Sequence, residues 1–482
     1  MLRRKAYDRL LEWKNEWNGK CLLVSGQRQI GKTYLISQFG RENYENLFYA
    51  DLSKDPSICD AMKRGDVDDI IRAMRLARGN ETIEPGKTLI FLDEVQVSLF
   101  ARSALKLFSL DGRYDVIASG SLLGVRIPGL RKRSSKDEAI TEEEIEAERS
   151  LVLPAGSEIP YKMYSMDFEE YLWAISFPQE EIDLAKKCIH DKEPLDKDLL
   201  KALERHYRDY TIIGGMPEAV DMFIGSGGDY DKSSRIVRAV ISTFMDDIVT
   251  YNLPVDQVKV RDTFLSIPNQ LGQINKKCTY SRIPTDGSRG TGERYSSSVE
   301  WINSAGYTNV CYNLTDLTHP ISARRNPNVF KLYMSDTGIL NNMLGSDAMN
   351  AVYTGDYAYN MGAITENAVA EGIMKCRLPV RYYQNTDNSE GKRMEVDFIL
   401  ESGRDIMAIE VKSGKTRRSP SLDKVSKVYQ QVNRRIILSK GNISVDKDGV
   451  EHYPLFAACF ADQFAEKRDG PKFASDDDWL LA

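Results

Sequence analysis

The segment Cys21-Leu22-Leu23-Val24-Ser25-Gly26-Gln27-Arg28-Gln29-Ile30-Gly31-Lys32-Thr33, continuing into Tyr34 to Phe39, decides the fold. A short apolar run enters the pattern GxxxxGK[ST] and a helix-compatible stretch leaves it, which is the strand, loop and helix context that a phosphate-binding loop needs. Glycines let the backbone curl with its N–H groups pointing inward, and the helix N-terminus adds the positive end of its dipole, so the two form a nest for a triphosphate. Lys32 is the residue to bridge the β- and γ-phosphates, and the Thr33 hydroxyl is the ligand for Mg²⁺. A glycine turn with an incidental Lys-Thr is the competing reading. A second motif argues against it.

That motif is Thr88-Leu89-Ile90-Phe91-Leu92-Asp93-Glu94, an apolar strand ending in two adjacent carboxylates. Open α/β sheets bind ligands at the carboxyl ends of their strands, where a buried strand needs a reason to carry charge. Asp93 is expected to hold the Mg²⁺ through water, and Glu94 to act as general base on the attacking water. A pair of acids could also cap the next helix, but that leaves the lysine loop unexplained. A third strand, Val116 to Ser119, ends in Ser119-Gly120-Ser121. Either serine could sense the γ-phosphate or cap the following Leu122-Leu123 helix, with equal weight. The nucleotide is thus expected against Gly26, Gln27, Arg28, Gln29, Ile30, Gly31, Lys32, Thr33, Tyr34 and Ser119, with ATP and Mg²⁺ as cofactors.

Outward from this core, the strands CLLVS, NLFYADL, TLIFLDE and DVIASGS alternate with helical composition, which predicts a parallel, helix-covered α/β sheet. The chain has 482 residues, 65 basic against 71 acidic side chains and 42% hydrophobic residues, so it is long enough for about three domains and is neither disordered nor collagenous. No run of apolar residues is long enough for a membrane span. The start, MLRRKAYDRLLEWKNEW, reads as an amphipathic helix and not as a signal peptide. Seven cysteines without a CxxC predict reduced thiols, a cytoplasmic location and no structural zinc. Residues 131–150 carry five basic and seven acidic residues and read as a solvated insertion. Residues 160 to about 252 look helical, broken at Gly214-Gly215-Met216-Pro217 and at Gly225 to Gly228.

Between 271 and 335 there are eight Lys/Arg against four Asp/Glu. A helix from Glu293 to Ala305 with Arg294, Ser297 and Ser298 outward, followed by strands at Val310 and Val329, gives the order of a winged helix. A spacer domain has equal weight. Further on, Asp397 lies in the strand Met394 to Leu400, and thirteen residues later comes Ile409-Glu410-Val411-Lys412. A hairpin turn at Glu401 to Asp405 would bring Asp397 and Glu410 together, and two carboxylates can hold one or two hard divalent ions that sharpen a water into a nucleophile. Lys412 would orient that water or stabilise developing charge. In the helix from Gly362 to Ile373, Glu366 falls on the apolar stripe and needs a partner, whereas Glu371, with Lys375 four residues on, reads as surface. From Val411 to Arg435 there are eight basic residues and one acid, which points to a nucleic-acid partner, DNA being preferred.

The motifs GQRQIGKTYLISQF, LIFLDEVQ, SGSLLG, YSMDFEEYLWA and GGMPEAV resemble AAA-type ATPases of the ASCE group of P-loop proteins, over roughly residues 1 to 250, and in particular the prokaryotic ATPases whose carboxyl-terminal half is a domain of unknown function. Glu366, Asp397 and Glu410-Val411-Lys412 resemble the PD-(D/E)xK nucleases over roughly 362 to 460. Element order and the two resemblances together predict an α/β P-loop core (1–158), a helical lid (159–260), a winged-helix-like middle (261–345) and a nuclease-like carboxyl-terminal domain (346–482). The function expected is ATP binding and hydrolysis through Lys32, Thr33, Asp93 and Glu94 that gates contact with DNA by the rest of the chain, and metal-dependent scission through Glu366, Asp397, Glu410 and Lys412 with Asp397 and Glu410 on the metal. A non-cleaving, ATP-dependent switch that binds DNA or protein is the alternative. Arg126, Arg131 and Arg133 are the candidates for an arginine finger given to a neighbouring copy in a homo-oligomer.

Overall fold

The computed structural model describes residues 2–16, 19–63, 65–79, 81–121, 156–273, 275–355, 361–386, 393–403, 405–414 and 418–464. The charged insertion at 131–150 and Arg126, Arg131 and Arg133 lie outside them. Five parallel strands form the first sheet: β1 (Cys21–Gly26), β2 (Asn46–Asp51), β3 (Thr88–Asp93), β4 (Asp115–Ser121) and β5 (Glu158–Lys162), in the order β2-β3-β4-β1-β5. β1 and β3 are buried along their whole length, which is why both read as continuous apolar runs. Helices cover both faces, so the α/β expectation holds. β4 separates β1 from β3 and sets Ser119 beside Val24 in register.

Five longer helices follow a short one, Phe168–Ala174: Gln179–Asp191, Lys197–Ile213, Pro217–Gly225, Tyr230–Tyr251 and Pro254–Leu271. The short helix starts on a reciprocal capping box. Asp167 accepts the Glu170 N–H at 2.8 Å, and Glu170 accepts the Asp167 N–H at 3.0 Å. Gly214 and Gly215 break the helical run because two segments pass against them. A Cβ on Gly215 would lie 2.0 Å from the Met166 carbonyl oxygen.

The helix Gly292–Ser304 is followed by an antiparallel hairpin, β6 (Thr308–Leu314) and β7 (Arg325–Met334). Tyr295, Ser298, Val299 and Ile302 form its buried stripe, so Ser298 faces inward, contrary to expectation, while Arg294 and Ser297 are exposed. The hairpin joins β8 (Arg381–Asn385) and β9 (Met394–Val396) in a sheet ordered β7-β6-β8-β9. This sheet therefore runs across the boundary expected near residue 345. A last sheet contains β10 (Phe398–Ser402), β11 (Asp405–Val411), β12 (Val432–Ser439), β13 (Ser444–Val445) and β14 (Val450–Pro454), in the order β10-β11-β12-β14-β13. β9 and β10 are one strand that changes sheets at Asp397, β9 pairing with β8 and β10 with β11. The largest apolar core is continuous from Ala6 through the helices to Phe464, while a smaller one, from Cys21 to Ala118, packs the other face of the P-loop sheet. No helix among the described residues is long and apolar enough to cross a membrane.

Candidate functional site

The loop from Gly26 to Gly31 hangs between the end of β1 and the helix Lys32–Asn43. Gly26 is required by close approach, since a Cβ there would lie 2.4 Å from the Met163 carbonyl oxygen. Gly31 (φ 89°) and Gln29 (φ 63°) both adopt the left-handed conformation, at a cost of about 1 kcal/mol for the glutamine. Lys32 folds back into the loop, its Nζ donating to the carbonyl oxygens of Gly26 (2.9 Å) and Gln27 (2.8 Å). Burial pushes its ammonium down to about 8, against the attraction of Glu94 and Asp93. Arg4 braces the loop from behind, donating to the carbonyl oxygens of Ile30 (2.9 Å) and Tyr164 (2.7 Å).

Asp93 ends β3 inside a ring of donors. Thr33 Oγ1 donates to its Oδ2 at 2.7 Å, the Glu94 N–H to its Oδ1 at 3.0 Å and the Tyr49 hydroxyl to Oδ2 at 3.4 Å. Ser119 Oγ also donates to Oδ1, so the polar end of β4 is tied to the acid of β3. The Thr33 hydroxyl and the Asp93 carboxylate are hard oxygen donors brought together from positions sixty residues apart, and they fit Mg²⁺. Glu94 sits at φ 56° and its carboxylate accepts from the Gln96 amide. Tyr34 is exposed at the edge of the loop.

The loop also leans on a helix that its own motif does not announce. Arg28 Nε lies 3.0 Å from Asp247 Oδ2, and its Nη2 donates to the Tyr251 hydroxyl at 2.8 Å, both on the helix Tyr230–Tyr251. Gln29 Nε2 reaches Thr243 Oγ1 on the same helix at 3.5 Å. Burial pushes the Asp247 carboxyl up to about 6, Arg28 pulling the other way and Glu94 adding to the rise. The sequence held no sign of the pairing beyond an acid beside Phe244 and Ile248 on the buried face of the helix.

The distal acids are also brought together, but with unexpected company. Glu366 is buried in its helix and accepts from Lys331 Nζ (3.0 Å) on β7, from Lys276 and from the Tyr333 hydroxyl. Lys331, 1% exposed, also lies 3.1 Å from Glu395. Burial alone would raise the Glu366 carboxyl, yet Lys331 and then Lys276 hold it down to about 2. Asp397 Oδ2 accepts the Val411 N–H at 2.9 Å, and its carboxyl is pushed up to about 8 by burial and by Glu366 and Glu410. Glu410 pairs with Lys412 at 2.5 Å, and burial raises its carboxyl.

A divalent ion fits this group poorly. The Oε2 of Glu410 is buried without a hydrogen-bond partner and could accept one. Both oxygens of Glu366, however, are committed to ammonium and phenol donors. Among the described residues no three His, Cys, Asp or Glu side chains form a group that could hold a metal ion. Glu371 is likewise not a surface residue. It is buried, bonded to Lys375 (2.6 Å), Tyr210 (3.0 Å) and the Thr337 N–H (2.7 Å), because elements far away in the chain cover it.

The basic run also divides. Arg434 is held by Glu451 through two bonds of 2.9 and 2.6 Å, and Arg435 by Asp423 at 3.0 Å, while Arg418, Lys424 and Lys427 are exposed.

Residues 18–140 match the family model described as an AAA domain. The amino-terminal unit is an AAA-type P-loop domain. Residues 204–350 and 361–457 each match a domain of unknown function, DUF8612 and DUF4143. Comparison with curated proteins gives no match. Among solved structures, the Walker-type ATPase of Pyrococcus abyssi is 14% identical, with 71% of this chain and 96% of that one covered and a TM-score of 0.43. The Aeropyrum pernix ORC1 protein in complex with DNA is 12% identical, with 73% and 94% covered and a TM-score of 0.27. Drosophila ORC bound to DNA is 12% identical, with 72% and 84% covered and a TM-score of 0.21.

Proposed function

We propose that the chain hydrolyses ATP at the P-loop and uses the helix Tyr230–Tyr251 to pass the state of that site to a carboxyl-terminal half that acts at DNA. The observation that carries this reading is the joining of Thr33 and Asp93 at 2.7 Å, next to a lysine loop at the carboxyl edge of a parallel sheet. Bound Mg²⁺, held by Thr33 and Asp93, would neutralise charge on the phosphates. Lys32 exchanges the carbonyl oxygens of its own loop for phosphate oxygens, and the loop N–H groups and the helix N-terminus hold the anion. Glu94 takes the proton of the attacking water, with the Gln96 amide holding its carboxylate. Ser119 fixes Asp93 from the neighbouring strand. Turnover by Lys32→Ala and Glu94→Gln tests the assignment. Each should lose about a hundredfold or more in kcat, and unchanged turnover in Lys32→Ala would overturn it.

Action at DNA is supported by exposed Arg282, Arg289, Arg294 and Arg325 in the middle segment and by exposed Arg418, Lys424 and Lys427 beyond it. The lysines seated on Glu366 favour the non-cleaving reading, so no scission step is derived. Anisotropy of a labelled duplex across a salt series tests the contact. Arg289→Glu with Arg294→Glu should flatten the dependence of log affinity on log salt by about one unit per arginine.

A further inference from the structure

Glu366, Asp397 and Glu410 are the acids expected from the sequence to serve a divalent ion, yet lysines of the same chain already reach Glu366 and Glu410. We propose that Lys331 and Lys276 take the place of a divalent ion toward Glu366, making this carboxylate group a metal-independent junction that fastens the β6–β7 hairpin region to the helix Gly362–Lys375. Lys331 is nearly fully buried, 3.0 Å from Glu366 and 3.1 Å from Glu395, with its ammonium 4.8 Å from the Tyr382 ring centre. Lys276, from the segment after the helix Pro254–Leu271, takes the other Glu366 oxygen, and Tyr333 adds a hydroxyl donor.

The charges close without a metal. Glu366, Glu395 and Glu410 face the ammonium groups of Lys276, Lys331 and Lys412, and Lys277 adds a fourth ammonium beside Glu395. Asp397 is a fourth acid, with one oxygen on the Val411 N–H. An ionised Asp397 brings the acids to the same number as the ammonium groups, and a divalent ion would then leave two positive charges in excess in a region of low dielectric. Making room would mean withdrawing the Lys331 ammonium, 1% exposed and held by Glu366 and Glu395, from a site it already fills. Glu366 on a C-terminal helix, Lys331 on the hairpin and Lys276 before it are thus bound by one internal set of ion pairs.

The test uses the nucleotide-free full chain and Mn²⁺, with free ion read by electron paramagnetic resonance, beside Asp397→Asn, Glu410→Gln and the double variant Lys276→Met/Lys331→Met. Wild type and Asp397→Asn should give the same titration, and the double variant, freed of both ammonium groups, should gain Mn²⁺ binding that Asp397→Asn then removes. In thermal unfolding, Lys331→Met and Glu366→Gln should each lower Tm, and the two together should lower it by less than the sum. Wild-type Mn²⁺ binding that weakens about tenfold or more in Asp397→Asn or Glu410→Gln would overturn the proposal. So would nicking of supercoiled plasmid by wild type with Mn²⁺ that Asp397→Asn abolishes. If a lysine variant does not fold, the comparison of wild type with Asp397→Asn still decides. The outcome is separable from the ATPase reading, since Lys32→Ala should abolish turnover and leave all of these titrations unchanged.

Discussion

Lys32 and Asp247, both in the P-loop region, have their protonation shifted towards neutral pH. With its ammonium down at about 8, Lys32 is only partly charged in mildly alkaline solution, and a triphosphate binds the charged form. Affinity for an ATP analogue should therefore be highest below pH 8 and fall by up to about tenfold per pH unit above it, until the raised pKa of the bound lysine is reached. Fluorescence titration between pH 7 and 9 checks this, with Lys32→Arg expected to flatten the profile. For Asp247, raised to about 6, the folded state holds its proton more tightly than the unfolded chain. The sign follows: this group favours folding at low pH, and that contribution is lost as pH rises from the ordinary carboxylate range through about 6. Asp247→Asn should remove that part of the pH dependence of Tm, whereas Arg28→Ala, by deleting the one nearby positive charge that lowers it, should move the carboxyl higher still, as read by carboxyl ¹³C NMR.

At the scale of elements, the helix Tyr230–Tyr251 joins the loop to the middle of the chain. One end meets Arg28 and Gln29 through Asp247, Tyr251 and Thr243, while Phe244 stacks on Tyr307 with ring centres 3.7 Å apart and packs on Phe264 and Trp301. Phe244→Ala should cost about 3–5 kcal/mol in chemical denaturation, because it empties a fully buried site between two other helices and the turn at Tyr307. The elements themselves were largely legible from the sequence. Continuous apolar runs announced β1 and β3, and the stripe Gly362, Ala363, Glu366, Val369, Ala370, Ile373 placed Glu366 inward, as it lies. The partners of inward-facing charges were not legible. Lys331 sits in the strand Val329 to Met334 as one charge among aromatics, and its acid lies thirty-five residues on, in another element. For Glu371 the i,i+4 pair with Lys375 was readable, but not the Tyr210 and Thr337 groups that bury it. The misplaced Ser298 has the same origin. Composition marks a polar face, and packing against neighbours chooses which polar residue it swallows.

At the scale of the whole molecule, one apolar core links the amino-terminal helix, one face of the P-loop sheet, the helical segment and the C-terminal sheet, so these parts share stability. ATP binding should then raise protection against hydrogen exchange beyond the loop, in the helices Tyr230–Tyr251 and Gly362–Lys375, and Arg28→Ala should reduce the distal part of that gain more than the local part. ATP hydrolysis at the phosphate site is tested most directly by single-turnover hydrolysis of γ-labelled ATP by wild type, Lys32→Ala and Glu94→Gln. The expected result is labelled phosphate released by wild type, ATP retained but uncleaved by Glu94→Gln, and neither retention nor cleavage by Lys32→Ala. Cleavage by Lys32→Ala at the wild-type rate would contradict it.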